Sequence, residues 1–178
     1  GLQIIGPMNF ELRKGEILGL GGLLGSGRTE LLKALYGVED YELAGELSVR
    51  GAPWEIHNPR QSLREKSVYL SEDRKRESVL KKRSLLENLR VSDTSIRGLF
   101  KPLRSKAEES CTLKRLSALK VKYHRTTQDI LSLSGGNQQK IILGRILEVV
   151  PDIIMLDEPT RGVDVGAKYE IYQILFEL

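Results

Sequence analysis

Apolar and polar positions alternate through Met8, Phe10 and Leu12, the period of a half-buried strand, ahead of a turn at Lys14-Gly15. Glu16 to Leu20 is a short apolar run ending in glycines. After Gly27 the spacing becomes helical through Leu31, Leu32, Leu35 and Tyr36, with Gly37 as the helix end. A glycine-rich loop is therefore expected between a strand and a helix. Gly45 to Val49 followed by Gly51 predicts a small hairpin, and Asn58-Pro59 predicts a capped short helix. Ser67 to Leu70 reads as a strand. From Leu80 to about Thr127 the pattern is helical and polar, an insertion with an amphipathic helix near Lys106 to Leu119. Ser134 opens another helix running to about Val149. Ile153 to Leu156 is continuously apolar, as in a strand buried on both faces, and Gly166 to Leu178 is helical again. Strands alternating with helices predict an α/β fold with a mostly parallel sheet.

Composition narrows the function class. The chain has 178 residues, enough for one domain with a core, and its 40% hydrophobic and 29% charged residues suit a soluble globular protein. No stretch approaches the ~20 apolar residues of a membrane helix. Gly1 to Phe10 lacks the basic start and apolar middle of a signal peptide. The single cysteine, Cys111, allows no internal disulfide and fits a reducing compartment. The net charge of +4 is clustered at Arg74-Lys75-Arg76, Lys81-Lys82-Arg83 and Lys114 to Arg125. No aromatic residues interleave with these charges as a stacking platform requires, so they read as a solvated or protein-docking face, with no nucleic acid partner.

Three segments carry candidate chemistry. Gly22-Leu-Leu-Gly25-Ser26-Gly27-Arg28-Thr29 fits the phosphate-loop pattern except at Arg28, where that pattern has lysine. Its glycines let backbone N–H groups face an anion, and the following helix adds its positive end. Thr29 would place a hydroxyl on Mg²⁺. Arg28 keeps the charge but is longer, planar and bidentate. The dinucleotide pattern starting at Gly19 fails because Leu24 takes its last glycine position. The second segment, Ile153 to Glu158, brings Asp157 to a strand's carboxyl end, where it would hold Mg²⁺ directly or through water, with Glu158 beside it to polarise an attacking water. The third is Leu133-Ser134-Gly135-Gly136-Asn137-Gln138-Gln139. Ser134 would cap a helix whose first turn is bare backbone, a second anion-binding device. Glycine disfavours helix, so close approach of another group to that backbone is the expected reason for the pair.

In this order the segments resemble the Walker A, signature and Walker B motifs of ABC transporter ATPases. The stretch from Asp157 to Lys168, with Ser71-Glu72-Asp73-Arg74-Lys75-Arg76 and the Gly-Asn-Gln-Gln ending, is similar to the second ATPase half of bacterial monosaccharide importers of the ribose, galactose and xylose type. That resemblance implies an ATP- and Mg²⁺-binding domain at the cytoplasmic face of the membrane. It works with a second ATPase half, with transmembrane permease subunits and, indirectly, with a sugar-binding protein. It implies that Gly22, Gly25, Ser26, Gly27, Arg28 and Thr29 hold nucleotide, Thr29 and Asp157 hold metal, and Glu158 is catalytic. Ser134, Gly135 and Gly136 would touch the γ-phosphate bound by the partner half, and Asp164 would lie in the loop crossing to it. Glu72 stands where the family has a glutamine. Ser84-Leu-Leu-Glu87-Asn88-Leu89 resembles the segment beside the coupling groove, or is an ordinary amphipathic turn. His57 and His124 fall in no motif and read as surface residues.

Two departures from the family set further expectations. Arg28 implies a degenerate site that binds MgATP but hydrolyses it slowly, while the intact signature serves the partner's site. Residues 1–178 are expected to be a partial domain with its helical part at about 80–149. An adenine-stacking loop upstream and a switch strand downstream would be missing, leaving a gap in the sheet and marginal solubility. A non-transport ABC ATPase and a catalytically inactive tandem half are the alternatives.

Overall fold

The computed structural model describes residues 6–38, 44–97 and 106–177. Helix α1 spans Arg28–Tyr36 and is followed by the strands β1, Ser48–Val49, and β2, Ala52–Pro53. Helix α2 spans Pro59–Arg64, β3 Ser67–Leu70, α3 Leu85–Arg97, α4 Lys106–Ala118 and α5 Gly135–Leu147. Strand β4, Ile153–Leu156, and helix α6, Val165–Phe176, complete the order. A π-helical turn at Arg74–Ser78 follows β3, and a 3-10 turn at Ile130–Ser132 precedes α5.

Strands β3 and β4 pair in parallel, Ser67 opposite Ile153 through Leu70 opposite Leu156. The ladder runs one residue further, because the Asp157 amide donates to the Leu70 carbonyl at 2.9 Å. Strands β1 and β2 form the expected hairpin, with Ser48 opposite Pro53. Its two turn residues, Arg50 and Gly51, have φ of 55° and 76°, the left-handed pair that a two-residue hairpin needs. Asn58 caps α2 by accepting from the Gln61 amide, with Pro59 in the first turn.

One apolar cluster joins the layers. Val68 and Leu70 of β3 meet Leu85 and Leu89 of α3, Leu116 of α4, Ile141, Ile142, Leu143 and Ile146 of α5, and Ile171 of α6. Helix α4 turns Thr112, Leu116 and the following Leu119 inward while Lys114 and Ser117 face solvent, but Leu113 is exposed with them, so the amphipathic reading holds only in part for its described side chains. The Cys111 side chain and Leu178 lie outside the described residues.

Several expectations need correction. Met8–Leu12 forms no strand, and neither does Glu16–Leu20; Met8, Phe10, Leu12 and Ile17 are all exposed. Alternation marks a segment that fits a pleated surface, but a strand exists only by pairing. Among the described residues no strand lies beside these two segments. Strand β4 is also less buried than expected: Met155 is buried, while Ile153, Ile154 and Leu156 are half-buried. Helix α5 ends at Leu147 rather than near Val149.

Candidate functional site

The glycine loop leads directly into α1. Gly25 and Gly27 have φ of 80° and 90°, conformations that a side chain would strain. Gly27 stands at the N-cap position of α1 and contributes no side-chain cap. The first-turn N–H groups of α1 are thus left without a side-chain acceptor, the arrangement that receives an anion. Gly22, Gly25 and Ser26 are exposed, while Gly27 is buried and Arg28 and Thr29 are half-buried at the start of the helix.

The acid pair lies at the carboxyl end of β4. Asp157 is only 5% exposed, and its Oδ2 accepts from the Tyr69 hydroxyl at 3.2 Å. Burial pushes the Tyr69 phenol well above its ordinary value, and the neighbouring Asp157 carboxylate adds to the shift, so Tyr69 is a donor at neutral pH. Glu158 is exposed and has φ of 44°, a left-handed backbone at a non-glycine residue of the kind found at functional turns. Arg28 Nη2 donates to Glu158 Oε1 at 3.3 Å, so α1 and the end of β4 meet at one point. The two ends of the sequence pattern, 130 residues apart, form one site.

This donor set suits Mg²⁺ held jointly with a nucleotide. Mg²⁺ is usually bound through one or two carboxylates plus substrate phosphates rather than by an all-protein cage. Asp157 is a buried carboxylate whose side chain accepts one hydrogen bond among the described residues, and Thr29 is the second residue of α1, whose first residue, Arg28, meets the end of β4. No group of three metal-ligating side chains occurs among the described residues.

The close approach expected at the glycine pair is present. Ser134 does cap α5, accepting from the Asn137 amide at 3.4 Å and from its side-chain amide at 2.9 Å. The groups that approach the glycines belong to this chain. A Cβ on Gly136 would lie 2.4 Å from the Ala167 Cβ of α6, and one on Gly135 would lie 3.0 Å from Arg74 Nη2. The pair lets α5, α6 and Arg74 pack together, a stability reason for two glycines in a helix. Asp164 caps α6 through the Ala167 amide at 2.9 Å, and its Oδ2 lies 3.6 Å from the same Gly136 position. Ser134, Gly135, Gly136 and Asp164 are thus gathered at adjoining helix starts.

The segment after β3, singled out in the sequence for its resemblance, ties these parts together through contacts the sequence did not reveal. Glu72 pairs with Arg161, in the loop after β4. Asp73 caps the π-helical turn. Arg74 donates to the Gly135 carbonyl at 2.9 Å. Glu77 joins Lys33 of α1 at 2.8 Å and accepts from Ser71 at 2.6 Å. Burial raises the Glu77 carboxyl, but the hydrogen bonds from Lys33 and Ser71 outweigh it and hold the group below its ordinary value. At the other end of the turn, half-buried Arg145 of α5 donates to the Ser78 carbonyl at 2.7 Å; desolvation pushes it down to about 10.

Ser84 and Glu87 form a reciprocal capping box at the start of α3. The S-x-x-E spacing signals such a box and could have been recognised. His57 and His124 are both exposed, as expected.

Residues 5–161 match the ABC transporter family model. The chain belongs to the ABC transporter family. It is 46% identical over 173 residues to the arabinose import ATP-binding protein of Pseudomonas fluorescens, a match covering 97% of this chain and 34% of that one. It is 40% identical over 171 residues to the ribose import ATP-binding protein of Bacillus cereus, covering 96% and 34%. Against the xylose import ATP-binding protein of Brucella abortus the identity is 41% over 181 residues, covering 100% and 35%. The chain spans about a third of the length of these curated relatives. Its fold matches that of a dimeric ATP-binding cassette bound to ADP and Pi in a post-hydrolysis state, with a TM-score of 0.77 at 21% identity, covering 96% of this chain and 72% of that one. A nucleotide-free ATP-binding cassette of an ABC transporter gives 0.69 at 22%, covering 86% and 62%. An α/β ATP-binding cassette is therefore the fold of this ABC transporter chain.

Proposed function

We propose that this chain binds MgATP as part of an ATPase that energises uptake of a monosaccharide through a membrane permease. The observation that supports this most is the meeting of Arg28 and Glu158, which puts the loop and the acid pair in one site. Sugar import in the relatives' names supports the substrate class. Backbone N–H groups of Gly22, Gly25, Ser26 and Gly27, with Arg28, receive the phosphates. Thr29 and Asp157 hold Mg²⁺, which when bound neutralises charge on the phosphates. Glu158 orients the attacking water. Glu72, through Arg161, supports the loop that leads to Asp164. Ser134, Gly135, Gly136 and Asp164 face the nucleotide of a second ATPase half, and the domain sits peripherally at the cytoplasmic face of the bacterial membrane. No helix among the described residues is long and apolar enough to cross one.

A specific observation favours a second reading of this half's own chemistry. The Arg28 guanidinium is paired with Glu158, so the carboxylate meant for water is already engaged. Hydrolysis here is then slow, and the domain mainly completes the partner's site.

The test is made on the natural protein with its permease. A fluorescent ATP analogue should bind saturably, and Gly27→Val should abolish binding at this site. Sugar uptake should depend on ATP. If Glu158→Gln leaves transport unchanged while Ser134→Arg stops it, the partner-completing reading stands. Absence of any nucleotide binding would sink the whole assignment.

A further inference from the structure

We infer that Asn137 is a positioning residue that fixes the Ser134 hydroxyl as an outward-facing donor to the phosphate of the nucleotide held by a second ATPase half. This rests on the proposal that Ser134 faces that nucleotide. Ser134 is exposed at the start of α5, and Asn137 is half-buried one turn along. A serine oxygen has two lone pairs and one proton. The Asn137 backbone N–H donates to Ser134 Oγ at 3.4 Å, and the Asn137 side-chain Nδ2 donates to the same oxygen at 2.9 Å. Both lone pairs therefore face donors, and the proton is left pointing away from Asn137. Among the described residues no acceptor takes it. A phosphate oxygen, which only accepts, is the partner this hydroxyl suits.

The Asn137 amide has one orientation that satisfies its neighbours. Its Oδ1 accepts from the Lys122 backbone N–H at 2.9 Å. A backbone N–H only donates, so the oxygen must face Lys122 and the NH₂ group must face Ser134. The segment that supplies this N–H is itself tied to α5, because buried Lys140 donates to the Lys120 carbonyl at 3.0 Å. The direction of the serine proton is thus set two bonds back, at the chain following α4.

An amide is what this arrangement needs. Aspartate in its place would still accept from the Lys122 N–H but would have nothing to donate to Ser134. Its carboxylate would take the serine proton, and Oγ would turn a lone pair toward the phosphate. The same shape with the hydrogen bond reversed would then repel the ligand instead of holding it.

The experiment measures kcat/KM for ATP in the natural protein with its permease, for Ser134→Ala, Asn137→Ala, Asn137→Asp and the two double variants. Ser134→Ala should lower it about 10- to 100-fold, as for loss of a hydrogen bond to a charged group. Asn137→Ala should lower it about 3- to 10-fold, and Asn137→Asp at least as much. The aspartate variant should nevertheless melt no lower than the parent, since an acid in the first turn favours the helix. With Ser134→Ala already present, either change at Asn137 should cost less than about two-fold, because no hydroxyl remains to be oriented. An Asn137 effect of equal size with and without the hydroxyl overturns the inference, because charge repulsion or a loosened helix start would then be the cause. So does an Asn137→Asp protein with parental kcat/KM. Ser134→Ala with unchanged kcat/KM overturns the reading of Ser134 itself, and this inference with it.

Discussion

Gly136→Ala tests whether the glycine pair serves packing or ligand approach. In an ordinary helix this change is favourable by about 0.8–1 kcal/mol. Here the new methyl would lie 2.4 Å from the Ala167 Cβ. Carbon atoms in contact settle at roughly 3.5–4.0 Å, so α5 and α6 must separate by more than about 1 Å. Overpacking of this kind costs about 1–3 kcal/mol, and it is largest where both partners are backbone-proximal and no rotamer can relieve the clash. Gly136 is at the second position of α5 and Ala167 at the third position of α6, so neither has a flexible end to move. The expected net loss is about 1–2 kcal/mol, or a fall in Tm of roughly 2–8 °C for a domain this size. Urea unfolding of Gly136→Ala, Ala167→Gly and the double variant gives the coupling directly. The double variant should recover most of the loss, with an interaction term of at least about 1 kcal/mol. A Gly136→Ala protein as stable as the parent, or a cycle that is additive, would refute the packing explanation. A double variant that regains stability but not nucleotide-dependent activity would show that the bare backbone serves a ligand as well.

Three further outcomes are expected. Asn88 is 1% exposed and bonds the Leu80 amide and carbonyl and the Ser84 carbonyl, so Asn88→Ala should cost about 1–3 kcal/mol in urea unfolding; a loss below about 0.5 kcal/mol contradicts this. The Glu77 carboxyl is held below its ordinary value of 4.5, so its contribution is present above that pH and is lost as pH falls through the lowered folded value. The stability gap between the parent and Glu77→Gln should therefore shrink on acidification below about pH 4.5, and a gap that widens there reverses the sign of the argument. Arg28→Lys should release Glu158 and raise ATP turnover in the natural protein, whereas unchanged or lower turnover removes the pairing as the cause of slow hydrolysis.

Much of this fold could be read from local signals. The Asn58 cap, the Arg50-Gly51 turn, the Ser134 cap and the apolar runs of β3 and β4 carry their own evidence within a few residues. Met8–Leu12 and Glu16–Leu20 failed because pairing is not a local property. Alternation describes one half of a ladder and says nothing of whether the other half is there. The same distinction runs through the site. Arg28, Asp157 and Glu158 could be named from the pattern, and the structure brings Arg28 and Glu158 into contact. Gly135 and Gly136 were also singled out, but a missing side chain does not reveal what fills the space. Only the structure shows that Ala167 and Arg74 fill it. Glu72 and Arg74 lay in a segment singled out for its resemblance, but their partners Arg161 and Gly135 could not be read from it, and Glu77 and Tyr69 matched no pattern because each acts on a distant partner. Arg28 marks the boundary most clearly. As a residue type it shows only that a lysine is absent. Its 3.3 Å contact with Glu158 gives the proposed slow hydrolysis a physical cause, because the residues proposed to hold phosphate and to orient water are paired with each other. The slow-hydrolysis reading therefore rests on the pair, and a change at either member should alter turnover through the other.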